Sequence, residues 1–114
     1  MDFTNLSVDS HTHIFCWGEN PKEGFLSKRT QMSIISKLLL RLSGIKNERG
    51  NTISEKIYNR LFKDLESTEL DYIVLFAQDA IYKGGIEIDY ERTHFYVSND
   101  YVLELAMRSD KIIP

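Results

Sequence analysis

Residues 70–77, LDYIVLFA, are almost continuously apolar, rich in β-formers and only eight residues long. A run that short reads as a strand buried on both faces, the type found in parallel sheets covered by helices. The segments before it have a helical period. From about Thr30 to Ser43, Ile34, Ile35, Leu38, Leu39 and Leu42 recur at helical spacing, and Gly44 stands where a helix C-terminus prefers glycine. The stripe SIISKLLLRL is expected to be the inner face of that helix.

A polar turn, IKNERGN at 45–51, follows. TISE then has the form of a capping box, with Thr52 at the cap and Glu55 three residues on. Ile53, Ile57, Leu61 and Leu65, with Tyr58 and Phe62 beside them, predict a second amphipathic helix ending near Ser67. At the other end of the chain, SNDYVLELAMRS offers Ser98, Asn99 or Asp100 as an N-cap to a third helix carrying Val102, Leu103 and Ala106. AIYKGGIEI has Lys83-Gly84-Gly85 between two short β-like runs, a small hairpin. DKIIP opens one more apolar stretch.

NLSVDSHTHIF alternates and reads as a first strand, with Asp9, His11 and His13 on one face. CWGENPKEGF, with two glycines and a proline, is a loop by composition. Strands separated by helices imply right-handed crossovers and a parallel sheet, an α/β class with residues 1–114 in one domain.

Composition excludes more than it assigns. The formal charge of −3, with Lys and Arg scattered, gives no reason to expect nucleic acid or an anionic membrane as partner. Cys16, the single cysteine, has no internal disulfide partner. With no apolar h-region at the N-terminus, that favours a reducing, cytoplasmic setting.

His11 and His13 carry the chemistry. Residues i and i+2 of a strand share a face about 6.6 Å apart. Two imidazoles so placed can converge on one ion, and Asp9 can orient them by accepting a hydrogen bond. The bland alternative is a pair of strand-end histidines with no ion. The pair stands where a strand meets a Gly-containing loop, the position at which α/β folds build sites. Asp79, just past LDYIVLFA, is a second candidate for the same rim, with a turn contact as its plainer role. His94 is expected to be structural, Cys16 a small buried hydrophobe, and Trp17 a packing residue or a pocket wall.

VDSHTHIF resembles the opening motif of the amidohydrolase superfamily, the amidohydrolase-related, metal-dependent hydrolases of TIM-barrel fold. LDYIVLFAQDAIY is similar to their second strand, and THFYVSNDYVLELAMRSDKIIP to the segment leading to their third. The resemblance implies that His11 and His13 bind a divalent metal ion, zinc by default with iron or manganese as alternatives.

It also implies that the chain is the N-terminal part of a (β/α)8 barrel. Such a barrel needs about 250 residues, so 114 supply an incomplete one, either a piece of a longer protein or a truncated product. The family's other ligands and its general base lie on later strands and have no counterpart here. The implied activity is attack of metal-activated water on a C–N or C–O bond of a small-molecule substrate. This chain alone would be inactive. A metal-dependent decarboxylase of the same superfamily is one alternative, and a non-catalytic α/β binding or assembly module is another. Apolar faces left uncovered by an incomplete barrel would favour self-association.

Overall fold

The computed structural model describes residues 5–45 and 52–114; the turn read at 45–51 lies, apart from Ile45, outside them. The first strand, β1 (Val8–His13), leads through a loop to β2 (Gly24–Leu26) and two short helices, α1 (Lys28–Gln31) and α2 (Ile34–Leu42). Then come α3 (Ile53–Ser67), β3 (Tyr72–Phe76), the hairpin strands β4 (Tyr82–Lys83) and β5 (Glu87–Ile88), β6 (Phe95–Val97), α4 (Asn99–Arg108) and β7 (Ile112–Ile113).

β1, β3 and β7 form a parallel sheet in that order, so strand order follows chain order. Two antiparallel pairs accompany it: β2 with β6, and β4 with β5 around Gly84 and Gly85, both at positive φ. The chain is thus a mixed α/β domain with a three-stranded parallel sheet, and the described residues form no closed barrel.

Helix starts are local hydrogen bonds. Thr52 accepts from the Glu55 amide to open α3, and Ser98 from the Tyr101 amide to open α4. These helices cover one sheet face. Tyr58 and Leu65 of α3 and Tyr101, Val102 and Leu105 of α4 pack with Ile14, Cys16, Ile73, Leu75, Val97 and Ile112. Leu105 is fully buried. Burial of such aliphatic side chains is the main force holding the layers together.

Two expectations change. LDYIVLFA is covered on one side only: Ile73 and Leu75 are buried, Tyr72 and Val74 half-buried, and Phe76 exposed. On the far face Val8, Phe76 and Ile113 are each about 40% exposed, and among the described residues no helix covers it. The helix expected over 30–43 is broken at Met32–Ser33, and α2 buries none of its residues. SIISKLLLRL is therefore not an inner face. The radius of gyration, 15.4 Å, exceeds the ~13 Å of a rounded chain this long, as a slab with an open face should.

The sheet edge is fastened at Asp71. Its Oδ2 accepts from the Ser7 amide (2.8 Å) and the Ser7 hydroxyl (3.1 Å). These bonds favour the ionised carboxyl and hold its pKa below the ordinary 3.8. A group with a lowered folded pKa contributes stability above its unfolded pKa and loses it as pH falls through the folded value. Asp71→Asn should therefore remove part of the acid dependence of stability below the ordinary aspartate pKa. Urea midpoints measured from neutral to strongly acid pH test this, and superimposable profiles for parent and variant would contradict it.

Candidate metal centre

The two histidines meet because β1 is irregular. Pairing with β3 runs Val8 to Tyr72 and Asp9 to Ile73, then resumes as Thr12 to Leu75 and His13 to Phe76. Three residues of β1 thus span two of β3, a bulge that absorbs one extra residue. Partners across a ladder share a face, so Asp9 and Thr12 go with the helix-side residues Ile73 and Leu75. His13 goes with Phe76 on the open face. Simple alternation from Asp9 to His13 would have put all three on one face, and the bulge corrects that.

On the open face the Nε2 atoms of His11 and His13 lie 3.0 Å apart. Their rings meet edge to face with centroids 4.9 Å apart, and the Phe76 ring lies beside both, 5.0 Å from His11 and 5.9 Å from His13. Such a separation suits a hydrogen bond between one protonated and one bare nitrogen. It is equally the spacing of two nitrogens each about 2.0–2.1 Å from one ion, at close to a right angle. Asp9 reaches the pair through the backbone: its Oδ1 accepts from the His11 amide (3.1 Å) and so fixes the bulge from which that ring projects.

The donor set is two. Among the described residues no group of three or more His, Cys, Asp or Glu side chains is placed to hold an ion. Cys16 lies in the core, where burial, reinforced by Glu23 and Glu19, pushes its thiol up to about 12. At neutral pH it is a protonated, buried hydrophobe. His94 belongs to the β2–α1 corner: its Nδ1 lies 3.1 Å from the Ser27 hydroxyl and its carbonyl accepts the Ser27 amide.

Asp79 lies three residues beyond β3, exposed, and its Oδ1 accepts from the Ala80 amide (2.8 Å) and the Tyr82 hydroxyl (2.9 Å). The bond to the carboxylate pushes the Tyr82 phenol pKa up. Asp79, Tyr82, Tyr96, Ser98 and Asn99 line a polar cleft of about 320 Å3 whose walls include neither histidine. Trp17 instead lines an apolar hollow of about 460 Å3 beneath α2, with Phe15, Leu26, Leu39 and Ile57 among its walls. The Gln31 side chain holds the Trp17 carbonyl there at 2.6 Å.

Sequence reasoning missed Phe76 as the aromatic neighbour of the histidines. The available signal was its alternation with the helix-facing Ile73 and Leu75, which assigns Phe76 to the opposite face. No protein-family model matches this chain, and no curated protein or solved structure matches it either.

Proposed function

We propose that His11 and His13 are two ligands of a divalent metal ion, zinc by default with iron or manganese as alternatives. In this reading the chain carries the first-strand ligands of an amidohydrolase-type, metal-dependent hydrolase, as the N-terminal part of a TIM barrel. The observation that carries the reading is the 3.0 Å approach of the two Nε2 atoms at the C-terminal end of a parallel strand. That is the end at which such folds build their sites. Strand order that follows chain order, as between β1, β3 and β7, is also that of consecutive barrel strands.

His11 and His13 would hold a divalent ion there, which would lend Lewis acidity toward water and toward the bond under attack. The chain's own part is orientation. The bulge aims both rings at one point, Asp9 holds the His11 backbone, and Phe76 restricts the rings from the side. Asp79, at the end of the neighbouring strand, is assigned to the surroundings of the substrate rather than to the ion. Two ligands are fewer than the three that catalytic zinc normally takes from protein, so this chain alone should bind zinc weakly and turn over no amide or ester.

Equilibrium dialysis against zinc, read by elemental analysis, tests the assignment. The parent should take up one ion per chain, and His11→Ala or His13→Ala should weaken uptake by at least about tenfold, the loss typical of disturbing a metal site. Uptake that neither substitution changes would refute the ligand assignment and leave a non-catalytic α/β module as the better reading.

A further inference from the structure

The chain's small net charge conceals a segregated one. Between Glu23 and Glu48 the sequence has no acidic residue and five basic ones, Lys28, Arg29, Lys37, Arg41 and Lys46; all seventeen acids lie outside this stretch. The helices α1 and α2 fall within it. Lys28, Arg29, Lys37 and Arg41 make no ion pair among the described residues.

α2 turns an apolar row outward. Ile34, Leu38 and Leu42 follow one another at four-residue spacing and are 83%, 52% and 73% exposed. Ser36, Leu40 and Ser43 line the hollow on the side toward the body. Helical spacing therefore places Lys37 and Arg41 beside the outward row, where long basic side chains can extend along an apolar surface with their charges at its edge.

Among the described residues the helix is formed with its outward row exposed. The Ser33 hydroxyl accepts the Ser36 amide at its start, and at its end the Gly44 and Ile45 amides close onto the Arg41 and Leu40 carbonyls. Gly44, at φ +69°, makes that closure possible.

We infer that the outward face of α1–α2 docks on an anionic lipid surface. Ile34, Leu38 and Leu42 enter the boundary between headgroups and acyl chains, while Lys28, Arg29, Lys37 and Arg41 meet the lipid phosphates. Charge complementarity selects this occupant. A second copy of the chain would bring the same basic row against itself, whereas an anionic bilayer accepts the apolar row and the basic edge together. At nine residues α2 is about 13 Å long, so it lies in the interface. Among the described residues no helix is long and apolar enough to cross a membrane. The face is separate from the histidine pair, and the inference stands independently of the metal.

Flotation of the whole chain with lipid vesicles tests it, comparing phosphatidylcholine alone with phosphatidylcholine and phosphatidylserine in equal parts. The parent should float with the anionic vesicles only and be released by high salt. Lys37→Ala and Arg41→Ala should each lower the partition by about fivefold, the loss of one basic contact at such a surface. Leu38→Glu should abolish flotation, with its far-UV circular dichroism unchanged because α2 has no buried residue. Equal binding to neutral vesicles, or flotation that Leu38→Glu does not reduce, would overturn the proposal. So would absence of flotation together with a concentration-dependent dimer that Leu38→Glu disperses, an outcome that assigns the face to a second copy.

Discussion

Gly24→Ala is expected to destabilise the chain by roughly 3–5 kcal/mol, combining backbone strain with overpacking. Gly24 opens β2 at φ +156°, a conformation that residues with a Cβ rarely adopt. A methyl group there would run into the Tyr96 carbonyl oxygen, with Cys16 Cβ and Val97 Cα both 3.0 Å away. Two of those neighbours are backbone of the paired strand β6, and the third is a core residue, so none can yield cheaply. Gly44→Ala separates the two contributions. Gly44 also has positive φ, but nothing lies within 4 Å of its added methyl, so it should lose only about 1 kcal/mol. Urea midpoints decide: similar losses at the two positions would mean that the β2–β6 contact is looser than the geometry indicates.

Glu19→Ala is expected to lose roughly 2–4 kcal/mol, because charged hydrogen bonds are strong and their removal strands buried donors. The Glu19 carboxylate accepts from the Ile53 amide (3.0 Å), the Ser54 amide (3.3 Å) and the Ser54 hydroxyl (2.5 Å), at the first turn of α3. Ser54 in turn accepts the Trp17 amide at 2.8 Å. One carboxylate thereby joins the loop after the histidine strand to the start of a helix 34 residues on, where the helix dipole also favours negative charge. Glu19→Gln keeps an acceptor and loses the charge, so it should fall between parent and Glu19→Ala. A Glu19→Ala protein within half a kilocalorie of its parent would show that solvent replaces the carboxylate at no cost.

Elements written in short-range hydrogen bonds were legible in the chain. Thr52 with Glu55 and Ser98 with Tyr101 each complete a cap within four residues, and α3 and α4 start where those residues indicate. The hairpin around Gly84-Gly85 is equally local. The β2–β6 pair was not legible. Gly24–Leu26 is too short to show a period, and its partner lies some seventy residues away.

Periodicity marked α2 as amphipathic but could not say whether any element would stand opposite its apolar row. For the candidate site, spacing identified His11 and His13. The bulge that separates Asp9 from their face depends on pairing with β3 and leaves no trace in VDSHTH. Asp79 was placed correctly just past a strand, yet the cleft it lines forms with Tyr96 and Asn99 from the β6–α4 junction, which no local pattern announces.

The parallel pairing of β1 with β3 has a kinetic consequence. Among the described residues β3 is the sole ladder partner of β1, and the contact that fastens them, Ser7 to Asp71, spans 64 residues. During synthesis the histidine strand therefore emerges long before anything can hold it, while α3 can coil as soon as it appears. Closing so long a loop makes this contact entropically costly to form early. The bulge, and with it the convergence of His11 and His13, should consequently be a late event in folding. A metal ion met earlier would find two unaligned imidazoles on a mobile strand.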